Sequence, residues 1–138
     1  MVRTKQISIS TKGKNEILNI TEQVAKVIED SGVNSGIVCI FLPGATGALT
    51  TIEYEEGLLR DYRRFWDKIA PQDMDYAHDL RWHDKNGHSH VRASLQGASL
   101  TIPFTDKKLL LGTWQQIVLL DFDVRSRERD VILQILGE

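Results

Sequence analysis

Alternation of apolar and polar residues with a period of two dominates this chain, the pattern of strands that bury one face. Lys5–Ser10 alternates around Ile7 and Ile9, and Glu16–Ile20 forms a second short extended segment. The Lys12-Gly13-Lys14 turn between them predicts a hairpin. At Thr21 the period changes: Val24, Val27 and Ile28 recur at helical spacing, with Thr21 placed to cap the start and Gly32 to end the last turn. Gly36–Leu42 is an apolar run of the buried-strand type. Beyond the loop Pro43-Gly44-Ala45-Thr46-Gly47, an extended run from Ala48 carries the chain to Glu53. A second helix is expected from Gly57 to Ile69, with Leu58, Leu59, Tyr62, Phe65, Trp66 and Ile69 on its buried side and Pro71 at its exit.

The rest of the chain reads as loop and strand. Asp84-Lys85-Asn86-Gly87 is a turn signal, and the segment after it, His88–Gln96, alternates as a strand. His88, His90, Arg92, Ser94 and Gln96 then share one face, while Val91, Ala93 and Leu95 occupy the other and go to the core. Pro103 with Thr105-Asp106 breaks the run after that. Ser99–Ile102, Leu109–Asp123 with an interruption at Gly112, and Asp130–Leu136 complete the set. Together they predict an α+β fold, an antiparallel β-sandwich-like or barrel-like sheet carrying two main helices. Ile117-Val118-Leu119-Leu120 is apolar on both faces and needs covering twice. A neighbouring subunit is one candidate cover, and Trp114 is expected to pack.

With 138 residues, 41% of them hydrophobic, the chain fits one compact domain spanning 1–138. Seventeen Lys and Arg balance 19 Asp and Glu, so no strong field points to nucleic acid or an anionic membrane. No apolar run approaches the roughly 18 residues of a membrane span, and Met1–Asn15 lacks the apolar core of a signal peptide, so the expected compartment is the cytoplasm. Cys39 is the single cysteine, which excludes a disulfide within the chain. Its place in the Gly36–Leu42 run predicts a buried, inert thiol.

Candidate chemistry concentrates between His78 and His90, which enclose all four histidines of the chain. On a strand, His88 and His90 project from one face, and convergent imidazoles are suited to a metal, with Arg92 beside them to hold an anionic ligand. The same spacing also fits a solvated strand face. His78 is the third candidate ligand, from a neighbouring loop, and His83 a weaker one. Glu53, Asp61, Asp79 and Asp84 are the acids available to ligate a metal, orient an imidazole or carry a proton, with a solvated carboxylate the competing reading for Asp61 and Asp84. The Pro43–Gly47 loop offers backbone amides, with Thr46, to an anion. It lacks the length and lysine of a P-loop, and a plain turn is the alternative.

At these same residues the chain becomes recognisable. Asn86-Gly87-His88-Ser89-His90-Val91-Arg92-Ala93, Ser99-Leu100-Thr101-Ile102-Pro103 and Leu111-Gly112-Thr113-Trp114-Gln115-Gln116-Ile117 closely resemble the YjbQ-like family, long catalogued as of unknown function. Tyr76-Ala77-His78-Asp79 upstream and Gln134-Ile135-Leu136-Gly137-Glu138 at the end extend the resemblance over nearly the whole chain. It implies a β-sandwich-like α+β fold assembled as a homotrimer, which would supply the second cover over the Thr113–Asp123 strand. It further implies that His78 and His90 are the characteristic histidines, Asp61 the helix aspartate and Glu53 the strand-end glutamate. His88 belongs to the Gly-His-Ser-His form of part of the family. Many members carry a histidine where this chain has Gly44, so a ligand available to them is absent here.

Family members are linked to a weak thiamine-phosphate synthase activity, which joins a pyrimidine diphosphate to a thiazole phosphate with loss of pyrophosphate. By that resemblance the chain is expected to be a metal-binding enzyme on a small phosphorylated substrate. His78, His88 and His90 would hold the metal, Glu53 or Asp61 would handle protons, and Arg92 and Thr46 would bind substrate. Imidazole ligands favour zinc, whereas the synthase reaction would use magnesium, which prefers oxygen. A metal-dependent hydrolase and a noncatalytic trimeric ligand-binding protein remain the alternatives.

Overall fold

The computed structural model describes residues 1–138. The elements run β1 (Val2–Thr11), β2 (Glu16–Asn19), α1 (Thr21–Asp30), β3 (Gly36–Phe41), β4 (Gly47–Glu53), α2 (Glu56–Ile69), α3 (Ala77–Trp82), α4 (Gly87–Gln96), β5 (Ser99–Thr105), β6 (Lys108–Leu109), β7 (Gln115–Asp121) and β8 (Arg127–Gly137). They build two antiparallel sheets, one ordered β1-β8-β3-β5-β6 and the other β2-β7-β4. The α+β, antiparallel architecture is the expected one.

The expected hairpin does not form. β1 pairs along its whole length with β8, Ile7 facing Val131, while β2 pairs with β7, Ile17 facing Leu120. Gly13, Lys14 and Asn15 all hold positive φ, at 74°, 57° and 66°, and this turn passes the chain from one sheet to the other. Helix α1 begins at Thr21 as expected, but with Ile20 at the cap position and no side-chain cap; Asn19 Oδ1 steadies the entry, accepting from the Thr21 amide at 3.1 Å and hydroxyl at 2.7 Å. The Thr21 hydroxyl in turn accepts from Ile117 N at 2.8 Å, fastening α1 to β7.

Strand β7 is the axis of the core. Its Ile117 and Leu119 join Val24 and Ile28 of α1, Val38 and Ile40 of β3, and Val131, Leu133 and Ile135 of β8. Its Val118 and Leu120 turn the other way, to Ile17, Trp66, Ala93 and Phe122. Both faces of β7 are therefore covered within the chain, the second by α2 and α4, and the cover once assigned to a neighbouring subunit is supplied internally. Trp66 anchors that second layer, with its ring edge-on to Phe122 at 5.3 Å. α2 matches its expected span and starts on Glu55, whose carboxylate accepts from the amides of Gly57 and Leu58, both at 2.7 Å; those bonds hold its pKa below the ordinary range. Only Trp66 on this helix is fully buried. Phe65 and Ile69, expected inside, are exposed, as is Trp114, and Cys39 is half-buried rather than enclosed.

The largest departure is at His88–Gln96, which is helix α4 and not a strand. Its buried residues are Gly87, His88, Ser89, Arg92 and Ala93, a helical spacing, while Val91 and Leu95 point outward. A helix with polar residues inside is stable here because tertiary partners receive them. Ser89 donates to the carbonyl of Phe122, and Arg92 Nε donates to the carbonyl of Ala70 at 2.9 Å.

A buried polar cluster ties the two sheets together. Arg129 of β8 grips Asp121 of β7 through two bonds, Nε to Oδ2 and Nη2 to Oδ1, each 3.0 Å, with Asp121 fully and Arg129 nearly enclosed. Thr11 of β1 donates to the same carboxylate at 2.5 Å, and Thr46 accepts from Arg129 Nη2 at 2.8 Å while donating to Asp123 at 3.0 Å. Replacing Arg129 by Ala leaves an uncompensated buried carboxylate. We expect Arg129→Ala to lower unfolding free energy by about 3–5 kcal/mol, seen as a lower denaturation midpoint in urea, whereas a change under about 1 kcal/mol would show that the pair is not a structural tie.

Candidate metal centre and adjoining cavities

Helix geometry decides where the histidines go. Residues two apart on a helix lie on nearly opposite sides, so His88 and His90 separate. His88 turns inward, 4% exposed, against the ring of Tyr76 with centroids 6.4 Å apart. Its Nδ1 is buried without a hydrogen-bond partner, and its Nε2 lies 3.4 Å from the Ser89 hydroxyl. Burial lowers its pKa below the ordinary imidazole value, and the Arg92 charge adds to that, outweighing Asp79, Asp123 and Asp67. His90 turns toward α3 instead, where its ring meets that of His78 at 4.4 Å between centroids.

His78 faces two carboxylates. Its Nδ1 is 3.6 Å from Asp79 Oδ1 and 3.5 Å from Asp84 Oδ1, and it is buried without a hydrogen-bond partner. The three donor atoms lie within 4.8 Å of one another. Both acids are held in place. Asp79 Oδ1 accepts from Gly87 N at 2.9 Å, and the Asn86 amide, with its NH₂ turned to Asp84, donates to both carboxylate oxygens at 2.9 and 3.2 Å. The close approach at Gly87 requires glycine, since a Cβ would overlap the Tyr76 side chain and lie 3.1 Å from Asp79 Oδ1.

Asp79 also lines an open cavity of about 730 Å³, whose wall includes Asp67, Asp73, Asp75, Tyr76, His83 and Lys85. Asp67 and Gln72 are shared with a neighbouring cavity of about 530 Å³ whose wall contains Arg92. A third, of about 290 Å³, lies between the Pro43–Gly47 loop and α4, with His90 and Gly44 in its wall. Gly44 sits at φ +121°, and a Cβ there would lie 3.0 Å from Arg129 Nη1. This backbone does not admit a histidine without a shift of the loop.

The residues singled out in the sequence are thus dispersed. His78 and His90 meet, whereas His88 is turned away by the helix. Arg92 is buried, bonding Ala70 O and, at 3.2 Å, Asp67. Thr46 is enclosed in the Asp121–Arg129 cluster. Glu53 ends β4, exposed opposite Gln115, and Asp61 is exposed on α2, paired with Arg64 at 2.9 Å beside a separate hollow formed by that helix. Asp79 and Asp84 were legible as acids near His78. Their selection over Glu53 and Asp61 depends on the α3–α4 turn, where His83 and Lys85 adopt positive φ of 59° and 56°.

The chain matches the family described as UPF0047 protein YjbQ-like over residues 5–138. It is 38% identical over 131 residues to a UPF0047 protein of Archaeoglobus fulgidus, covering 95% of this chain and 99% of that one. A second UPF0047 protein, from Methanothermobacter thermautotrophicus, is 34% identical over 137 residues, covering 99% of this chain and 94% of the other. Among solved structures, a YbjQ-like protein of unknown function from Sulfolobus solfataricus superposes with a TM-score of 0.90 at 32% identity, each chain covered completely.

The neutral, enclosed His88 makes stability depend on pH. Its folded pKa lies below the unfolded value near 6.5, so the unfolded chain binds more protons between the two. This contribution is intact above about pH 6.5 and is lost as pH falls through the folded value. His88→Gln is expected to flatten that part of the stability profile, measured by urea denaturation from pH 7.5 to 5. An unchanged slope in the variant would remove His88 as its source.

Proposed function

The chain belongs to the UPF0047 YjbQ-like family, and for this member we propose a metal-dependent enzyme acting on a small phosphorylated substrate, with its metal held by His78, Asp79 and Asp84. One observation carries this: a buried imidazole nitrogen with no hydrogen-bond partner, facing two carboxylate oxygens at 3.5 and 3.6 Å. Donors bonded at about 2.0–2.1 Å to a tetrahedral ion lie about 3.4 Å apart. These spacings are too long for hydrogen bonds and close to those around such an ion. A mixed nitrogen and oxygen donor set suits zinc or manganese better than magnesium. The bound ion would polarise a phosphoryl or carbonyl oxygen.

The chain's own residues account for the remaining requirements. Gly87 N and the Asn86 amide orient the two carboxylates, and His90 packs against the ligating imidazole, restricting its rotation. The adjoining cavity is large enough for a metabolite, and His83 stands in its wall. Arg92 is the cation for a phosphate, the charge that the chemistry of a phosphorylated substrate calls for. A thiamine-phosphate synthase reaction fits this frame: a thiazole nitrogen forms a bond to the pyrimidine methylene as its carbon–oxygen bond breaks and pyrophosphate leaves. Assembly as a homotrimer is part of the same proposal.

Zinc and manganese titrations of chelator-treated protein, followed by calorimetry and elemental analysis, test the metal centre. Asp79→Asn and Asp84→Asn are each expected to weaken binding at least about tenfold, and His78→Ala to abolish it. His88→Ala should leave the metal content unchanged. Absence of saturable binding by the folded native chain would refute the assignment.

A further inference from the structure

The second cavity, of about 530 Å³, is lined by Lys14, Asn15, Arg63, Asp67, Gln72, Arg92, Asp123 and Val124. We infer that Lys14, Arg63 and Arg92 make it a phosphate-binding subsite for the substrate's mono- or diphosphate group. The substrate class rests on the function proposed above; the binding of a phosphate group does not.

Charge pairing leaves this cavity positive. Asp123 is neutralised from outside the wall by Arg127, whose Nε and Nη2 donate to its Oδ2 at 2.9 and 2.6 Å. Burial alone would raise the Asp123 carboxyl, but bonds from Arg127, Val124 N and Thr46 outweigh it and hold its pKa below the ordinary range. Asp67 pairs with Arg92. Lys14 and Arg63 have no carboxylate within 4.0 Å, so two cations in the wall remain uncompensated. Arg92 itself is only 3% exposed, and its Nε bond to the Ala70 carbonyl fixes the guanidinium at the cavity.

The wall is also built rather than incidental. Arg63 Nε donates to the Asn15 carbonyl at 3.0 Å, and Lys14 N donates to the Asp123 carbonyl at 2.6 Å, joining the β1–β2 turn to α2 and to the end of β7. Lys14 and Asn15 are held at positive φ, a conformation unfavourable to a non-glycine residue. Asn15 Oδ1 is buried with no partner, a polar atom that a protonated phosphate oxygen would satisfy. Asp67 and Gln72 are common to this cavity and the one beside the metal centre, which places the two side by side. The cavity fits a terminal phosphate or diphosphate of a small molecule, whose anionic oxygens match the two uncompensated cations with Arg92 in the same wall.

The full chain, titrated with inorganic phosphate and pyrophosphate in excess chelator and followed by ³¹P NMR and calorimetry, tests the subsite apart from the metal. Saturable binding is expected, tighter for pyrophosphate. Lys14→Gly, which keeps the turn's backbone, and Arg63→Gln should each raise the pyrophosphate Kd about tenfold. Asp67→Asn, at an exposed side chain, should lower it by releasing Arg92, a gain that misfolding does not mimic. No saturable binding, or a Kd unmoved by all three variants, overturns the subsite. Pyrophosphate binding in chelator together with a failed zinc titration would discard the metal centre alone.

Discussion

Everything on the functional side of this molecule leans on the buried ion pair between Asp121 and Arg129. β8 is an inner strand of the five-stranded sheet and β7 the central strand of the three-stranded sheet, and neither ladder of backbone bonds pairs the two. Two parallel hydrogen bonds between a guanidinium and a carboxylate do so, with Thr11 and Thr46 taking up remaining hydrogen-bonding capacity. Asp123, two residues on, is drawn into the same network, and its carbonyl fixes the turn that carries Lys14. A structural tie between sheets thus also places one wall of the phosphate subsite.

Helix α4 is the second half of the design. Its inward face is polar, an inversion of the usual amphipathic arrangement. Ser89 and Arg92 each reach a partner beyond the helix, Ser89 at the end of β7 and Arg92 at the C-terminal end of α2, whereas His88 has only the Ser89 hydroxyl of its own helix beside Nε2. The helix is thereby held by directional bonds as well as by Ala93 in the apolar layer around Trp66. Directional bonds orient as well as stabilise, and the orientation is what brings His90 to His78 and the helix N-terminus to Asp79.

The two cavities divide their chemistry by charge. One has Asp67, Asp73, Asp75 and Asp79 against a single lysine, Lys85, and adjoins the candidate metal ligands; the other has Lys14, Arg63 and Arg92 against Asp67 and Asp123, which are paired with Arg92 and Arg127. An ion at the acidic end and a phosphate at the basic end would each neutralise the charge that the protein concentrates there, and the 26% charged, nearly balanced composition conceals this local separation.

Much of the fold was legible in the chain because local patterns sufficed. Two main helices, the strands β3, β4, β7 and β8 and the α+β class follow from period and breakers, and the double-sided apolar run at Ile117–Leu120 announced a strand buried on both faces. The partners of β1 and β2 were not legible, since the turn between them differs from a hairpin turn only in where its αL residues send the chain. At the site, the histidine-rich segment and nearby acids were visible, but His88–Gln96 supports a strand or a helix equally well by local pattern. Which one forms depends on whether Ser89 and Arg92 find acceptors, and those are the carbonyls of Phe122 and Ala70, 33 and 22 residues away. Lys14 and Arg63 carried no signal, because an exposed-looking lysine and a helix arginine become neighbours only when the β1–β2 turn is bonded to α2. The sequence alone determined which segments are apolar and where the titratable groups concentrate; tertiary structure decided which of those groups meet, because hydrogen-bond satisfaction of buried polar atoms is a property of the assembled fold and not of any single segment.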